Sequence, residues 1–434
     1  MRPATRAVAF AVLVAACGDA AGPDGASLAV TSRPAANLAA GIEHELEVAV
    51  RLTNEGDPMA GVATGWTSTT PGDSIVADAQ TDADGYARGI WYVGWAVGQH
   101  TLTVGTAGSE ETTIVTTLKA FQPEKISVGH QFACGLREGA VWCWSKRPDA
   151  FLPARIAAAW TFTDVEVESE HACGLTDDGS AVCWDRSTIT GGTPPSEVAG
   201  APELVQLAVA ERYVCGLTST GQPWCSGENY PPNGAEITGA PPLWKVAAAT
   251  ESAQNMTACG LSQVDSTAWC WGYFNHGALG NGTSLPSYDV AQQVSGGQTF
   301  TDIAGSSASF CAIQLDKHIA CWGYGSALPG FGSDQPEPTT FGETADSLFG
   351  GWFGYLGISS GIPDFWGGFL DGTDADSTFA ELDGITTYEL GTAPCVIQEG
   401  IGASCSIGLT DEIGFHDWQR LLPLVPVPDP DLVE

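Results

Sequence analysis

Positive charge is scarce in this chain. Lysine and arginine total 16 against 51 aspartates and glutamates, for a formal net charge of −35. Nucleic-acid binding requires a basic face, and so few scattered cations cannot build one, so nucleic acid is excluded as a partner. After the N-terminal segment there is no apolar run near the roughly twenty residues that cross a bilayer. Helical periodicity is nearly absent over residues 28–118. A C-x-x-C motif, a phosphate-binding loop and a dinucleotide fingerprint are absent, so no cofactor is expected.

The chain opens with a short targeting signal. Arg2 and Arg6 form a positive region, and Ala7 to Ala16 is an apolar run too short to span a membrane. It ends Leu13-Val14-Ala15-Ala16-Cys17. Small residues directly before a cysteine resemble the bacterial lipobox. That resemblance implies removal of residues 1–16, lipidation of Cys17, and export to the cell envelope. Gly18 at the next position suits the outer membrane. Residues 17–27 then read as a tether. The alternative is an ordinary secretory signal.

Cysteine is present and regular. Of 13 cysteines, setting Cys17 aside leaves twelve in six near neighbours. These are Cys134/Cys143, Cys173/Cys183, Cys215/Cys225, Cys259/Cys270, Cys311/Cys321 and Cys395/Cys405. Each pair brackets a polar turn, as in Cys311-Ala312-Ile313-Gln314-Leu315-Asp316-Lys317-His318-Ile319-Ala320-Cys321, which reads as a β-hairpin with one cysteine on each arm. An even count at regular spacing in an exported chain indicates disulfides within each hairpin rather than metal sites. Tyr355 and Phe365, followed by Trp366-Gly367, read as a seventh copy without sulfur. A hairpin period of about forty residues marks a stacked or radial repeat fold.

Residues 28–119 alternate with period two. Leu46, Val48 and Val50 face one way, and Leu102 and Val104 repeat the pattern, so the segment reads as half-buried strands of a β-sandwich. The run Gly56 to Val62, then Trp66, Thr81 to Ala87, Trp91 and Gly98 to Val104 resembles a bacterial Ig-like domain of surface adhesins. The resemblance implies a spacer or stalk. Two carboxylates in its turn, Asp82 and Asp84, are too few to hold calcium.

Residues 121–434 carry the repeat. Apolar Ile126, Val165, Leu207 and Ile303 stand eight residues before their cysteines and mark inner strands. A proline-bearing segment after each hairpin, such as Pro153-Ala154-Arg155-Ile156, supplies an outer edge strand, giving four-stranded blades. Trp271-Gly272-Tyr273-Phe274-Asn275-His276-Gly277-Ala278-Leu279-Gly280-Asn281-Gly282 resembles the W-G-x-N-x-x-G-Q-L-G-x-G run of the RCC1 repeat, with one extra residue and Ala278 for Gln. The resemblance implies a seven-bladed β-propeller. The expected fold is therefore all-β: an Ig-like sandwich, then an RCC1-like propeller with an intra-blade disulfide in six blades. The tail 421–427 is expected to clasp the ring by adding a strand to the first blade.

Candidates for chemistry are few. Ser359 lies in a G-x-S-x-G pattern, but between hairpin arms. His130 and His171 precede cysteines at a place where the RCC1 repeat often has histidine, and the resemblance implies packed, hydrogen-bonded side chains rather than a general base. Asp371, Asp374 and Asp376 crowd one loop, which reads as solvated. No catalytic residue, cofactor or metal is expected. The expected function is a monomeric, lipid-anchored envelope protein whose propeller binds a protein or surface polymer. Trp224, Tyr230, Trp352 and Phe353 are the candidate exposed anchors. The alternative is an envelope lyase or hydrolase acting on polysaccharide, which needs paired carboxylates in the propeller channel.

Overall fold

The computed structural model describes residues 26–432, apart from the stretches 146–152, 325–334, 368–384, 390–394, 399–401 and 407–423 and several gaps of one to three residues. Cys17 and the targeting signal lie outside the described residues. Regular structure among those described is β-strand with three short 3-10 turns. The chain divides into two compact units, the first built mainly from Glu43–Gly94 and Gln99–Thr117, the second from Leu118 onward.

In the first unit one antiparallel sheet runs Ala26–Ser32, His44–Asn54, Tyr86–Val93 and Ser74–Ala77. A second pairs Thr64–Ser68 with Gly98–Thr106, and that strand with Thr112–Lys119. The alternation seen in sequence is the burial pattern. Val48, Val50, Leu52, Trp91, Leu102 and Val104 all enter the core.

The second unit holds seven successive antiparallel sheets, or blades. Six have four strands, and the sixth blade (347–367) shows three among the described residues. Blade one runs, from inner to outer strand, Lys125–Val128, Phe132–Arg137, Ala140–Ser145 and Ala154–Ile156. Blades two to five span 162–197, 206–236, 243–293 and 300–344, and blade seven spans 385–426. Ile126, Val165, Leu207 and Ile303 lie on inner strands and are buried.

The period of two explains how blades pack. Each paired cysteine points toward the following blade, and the residue after the second cysteine points toward the preceding one. Thus Cys134 and Cys143 pack with Val165, Val182 and Trp184 of blade two. Cys259 and Cys270 pack with Trp322 of blade five, and Trp271 donates its indole N–H to Cys225 Sγ at 3.1 Å. Five disulfides join facing strand positions, Cys134–Cys143, Cys173–Cys183, Cys215–Cys225, Cys259–Cys270 and Cys311–Cys321. Cys395 and Cys405 also face each other in register, and the side chain of Cys405 lies outside the described residues.

The Cys-Gly-Leu pattern also has a physical reason. A Cβ on Gly135, Gly216 or Gly260 would come within 2.5–2.6 Å of Phe121, Leu204 or Leu243, and one on Gly174 would strike Phe162. Each glycine leaves room for the apolar residue that leads into its own blade. At the hairpin tips Gly139, Gly179, Gly221, Ser266 and Lys317 have φ of 74°, 85°, 81°, 59° and 72°. This left-handed turn aims each carbonyl at the next blade. There they accept the N–H of Phe162, Leu204, Leu243, Phe300 and Ala345 at 2.9–3.0 Å. One face of the ring is therefore stitched, turn to lead-in, through the first six blades.

Two expectations are corrected. The tail does not extend blade one, which already has its own outer strand, Ala154–Ile156. Leu424–Pro426 pairs with Gly402–Ser406 as the outer strand of blade seven, the same place that the segment after the hairpin takes in the other four-stranded blades. Closure comes from packing and short bonds instead. Phe121, Ile126, Val128 and Trp144 share a core with Cys395, Ile397, Ala403 and Val427. Phe121 N–H donates to Val427 O at 2.8 Å, and its carbonyl accepts from Ala403 N–H at 2.7 Å. Arg137 lies 5.0 Å over the Phe121 ring and binds Asp429 at 3.1 Å and Asp431. In blade six, Phe365 faces Leu356, while Tyr355 faces Trp366. Tyr355 thus occupies the position of Phe310, which faces Trp322, rather than that of a cysteine.

Candidate functional site

The channel-side strands are where catalytic carboxylates would be sought. One register position, just before the buried apolar residue, carries Lys125, Asp164, Gln206, Lys245, Asp302 and Ser347 in blades one to six. An innermost strand has one unpaired edge, whose N–H groups need acceptors. Side chains of the preceding blade supply them. Gln206 Oε1 accepts from Val246 N–H at 2.9 Å, Ser127 Oγ from Val167 N–H at 2.9 Å, and Asp302 Oδ2 from Leu348 N–H at 3.2 Å.

Charges in this belt are paired across blades. Lys125 Nζ donates to Asp164 Oδ1 at 2.5 Å and to Glu166 Oε1 at 2.7 Å. Burial works against the lysine's charge, but the carboxylates of Glu166 and Asp164 outweigh it and push its pKa up. Lys245 pairs with Asp302 in the same way. Asp164 Oδ1 also accepts from Val165 N–H at 2.8 Å. These carboxylates act as fixed acceptors that join neighbouring blades. The sequence reading missed the belt. Its signal was a polar column one residue before each marked apolar position.

The proposed anchors are corrected. Trp224 is 5% exposed and packs against Cys173 between blades two and three. Blade three has Ser226 after its second cysteine, and Trp224, two residues earlier on the same sheet face, takes over the tryptophan's place. Tyr230 is 9% exposed between blades three and four, donating its hydroxyl to Tyr288 O at 3.1 Å. Burial, with nearby Tyr213, pushes its pKa up. Trp352 and Phe353 lie outside the described residues, as do His130, Asp371, Asp374 and Asp376.

His171 begins the second strand of blade two, half-buried, and its Nδ1 has no hydrogen-bond partner among the described residues. Ser359 faces Ile362 in a strand–turn–strand hairpin, whereas a nucleophile elbow needs strand–turn–helix. In the acidic turn of the first unit, Asp82 Oδ1 accepts from the N–H groups of Asp84 and Tyr86, and Oδ2 binds Arg88 at 2.8 Å. The Arg88 hydrogen bond, followed by the Tyr86 N–H, holds the Asp82 carboxyl below its usual pKa. The buried carboxylate of that unit, Asp73, accepts from Trp91 Nε1 at 3.2 Å and Gly94 N–H at 3.0 Å, and lies 2.8 Å from His100 Nδ1. Ser68 Oγ donates to the same carboxylate at 2.9 Å, so the serine is not aimed at the histidine.

The RCC1-like run is an inter-blade wedge. Ala278 and Leu279 are buried, and the Ala278 carbonyl accepts the Trp322 indole N–H of the next blade at 3.0 Å. A Cβ on Gly280 would lie 2.9 Å from that ring, at φ 62°. Its glycines serve packing.

No family model matches the chain, and no curated protein does. Solved structures do. Human WBSCR16 is similar with a TM-score of 0.50 at 13% identity, covering 66% of this chain and 89% of that one. The ectodomain of the Arabidopsis thaliana receptor kinase ACR4 gives 0.49 at 18%, covering 70% and 98%. Yeast RCC1 (Prp20), solved with Kap60 bound to it, gives 0.49 at 16%, covering 66% and 81%. The second unit is a β-propeller. At these identities the likeness concerns the fold alone.

Proposed function

We propose that this chain is an exported protein, lipid-anchored at Cys17 to the bacterial cell envelope, whose monomeric propeller binds a protein or surface polymer. The first unit serves as its Ig-like stalk. The disulfides support an oxidising compartment. No helix among the described residues is long and apolar enough to cross a membrane, and the lipobox-like run supplies an anchor in its place.

One observation carries the binding reading. The carboxylates and lysines of the inner belt bind each other and the backbone of neighbouring blades. A hydrolase or lyase would need a pair of carboxyl groups free to exchange protons with substrate. The loops and turns of the two faces are then the surfaces available to a ligand. Incubating the full mature chain with envelope extract tests this. A protein or polymer retained through washing, with envelope polysaccharide unshortened, is the expected result. Steady polysaccharide cleavage would favour the enzyme reading instead.

A further inference from the structure

The seven blades provide an internal comparison at the stitched face. The residue just before the polar belt column is Thr163 in blade two and Thr301 in blade five, each within a β-bulge. Both are exposed, and both turn their hydroxyls back onto their own blades. Thr163 Oγ1 donates to Leu175 O at 3.2 Å, and Thr301 Oγ1 to Ile313 O at 3.3 Å. In blades three and four the same position holds Val205 and Trp244, 60% and 44% exposed. Neither side chain carries a hydroxyl to turn back onto its blade. Trp244 is also the extra residue of a bulge, which directs it away from the strand pairing.

The hairpin tips of the same face repeat the contrast. Tips in blades one to three are polar: Glu138-Gly139, Asp177-Asp178-Gly179 and Ser219-Thr220-Gly221. Those of blades four and five expose Val264 and Leu315, at 76% and 71%. These four apolar side chains share one face of three consecutive blades. Gln206 Oε1 accepting from Val246 N–H joins blades three and four, and Ser266 O accepting from Phe300 N–H at 2.9 Å joins four and five. Beside them stand exposed Glu203, Asp265, Asp316 and Asp346. The described cations of this part of the face are already engaged, Lys245 with Asp302 and Lys317 with Asp346, and His318 Nδ1 lies 3.2 Å from Asp316, whose carboxylate stays exposed. An exposed aromatic on one face with exposed aliphatic residues and carboxylates has the composition of a recognition surface.

We propose that this face of blades three to five docks a cationic protein segment, with an aromatic or aliphatic anchor set among lysines or arginines. The anchor packs on Trp244, Val264 and Leu315, and the cations meet Asp265 and Asp316. Charge selects this occupant. With a net charge of −35, the chain repels anionic lipid, nucleic acid and a second copy of itself. The proposal rests on the binding-module reading and names its surface and the partner's chemistry.

The test uses the full mature chain and two probes: a disordered peptide of lysines interspersed with tryptophan and leucine, and its counterpart with glutamate for each lysine. The lysine peptide is expected to bind and the glutamate peptide not to. Trp244→Ser with Leu315→Ser should weaken binding about tenfold with the melting temperature unchanged, while Val76→Ser, equally exposed on the first unit, has no effect. Asp265→Asn with Asp316→Asn should weaken binding and flatten its dependence on salt. Equal binding of the two peptides, or full binding by the Trp244→Ser/Leu315→Ser chain, overturns the proposal. Envelope proteins captured alike by wild type and that variant would overturn this surface and leave the binding-module reading standing. A wild-type chain that captures nothing and cleaves polysaccharide sinks both.

Discussion

At the scale of single residues, backbone conformation and charge pairing set the sharpest expectations. Gly221 and Gly191 share a φ of 81°, but their surroundings differ. A Cβ on Gly221 would lie 2.6 Å from Leu243 O, whereas one on Gly191 meets nothing within 4 Å. Gly191→Ala should cost about 1 kcal/mol from conformation alone. Gly221→Ala should cost about 1–3 kcal/mol more, because the turn must also move off the next blade. Chemical denaturation midpoints would measure the difference. Lys125→Met leaves Asp164 and Glu166 without their cation and should destabilise the ring by about 1–3 kcal/mol. The folded-state pKa of Lys125 is raised. Its stabilising effect is therefore complete below the unfolded lysine value of about 10.4 and fades as pH rises above it. The melting gap between wild type and Lys125→Met should stay constant through neutral pH and narrow in strong alkali, where the lysine loses its charge.

At the scale of elements, the hairpin disulfide does two jobs. It ties two arms, and it presents sulfur to the aromatic residue of the next blade. The chain-entropy model gives about 3 kcal/mol for a loop near ten residues, an upper value because a hairpin is already local. Cys215→Ala with Cys225→Ala also removes the acceptor of the Trp271 indole. It should therefore destabilise more than Cys173→Ala with Cys183→Ala, whose neighbour Trp224 precedes the second cysteine of its own blade instead of following it. Paired thermal melts of the two variants give the comparison. Non-reducing peptide mapping should join Cys395 to Cys405 within blade seven. A bridge from either cysteine to another blade would break the rule that each pair faces itself across one hairpin.

At the scale of the whole molecule, closure and anchoring are the testable properties. Ending the chain at residue 423 removes the outer strand of blade seven, the Val427 partner of Phe121, and both carboxylates of Arg137. The truncated protein should melt well below the full chain and aggregate through its exposed edge. Arg137→Ala should reproduce a small part of that loss. A truncation that melts like the full chain would remove this closure. Anchoring is tested by Cys17→Ser, which should move the protein from the membrane fraction into soluble extracts.

The repeat, the hairpins and their facing cysteines are legible in the amino-acid order, because these depend on period-two alternation and on contacts about ten residues apart. That order also determined which inner-strand residues are buried, since Ile126, Val165, Leu207 and Ile303 recur at one spacing. Tertiary structure decided what lies between blades. Trp224 has the composition of a surface anchor, and only the packing of blade three on blade two shows that it fills a vacated tryptophan site. The tail has the pattern of an edge strand, which does not encode the sheet it joins. Blade one had no open position, and blade seven did. The polar belt joins residues 39 to 57 apart, and exposed Val205, Trp244, Val264 and Leu315 come to one face from three repeats. A side chain's exposure depends on what the neighbouring blade places over it, and no local pattern carries that information.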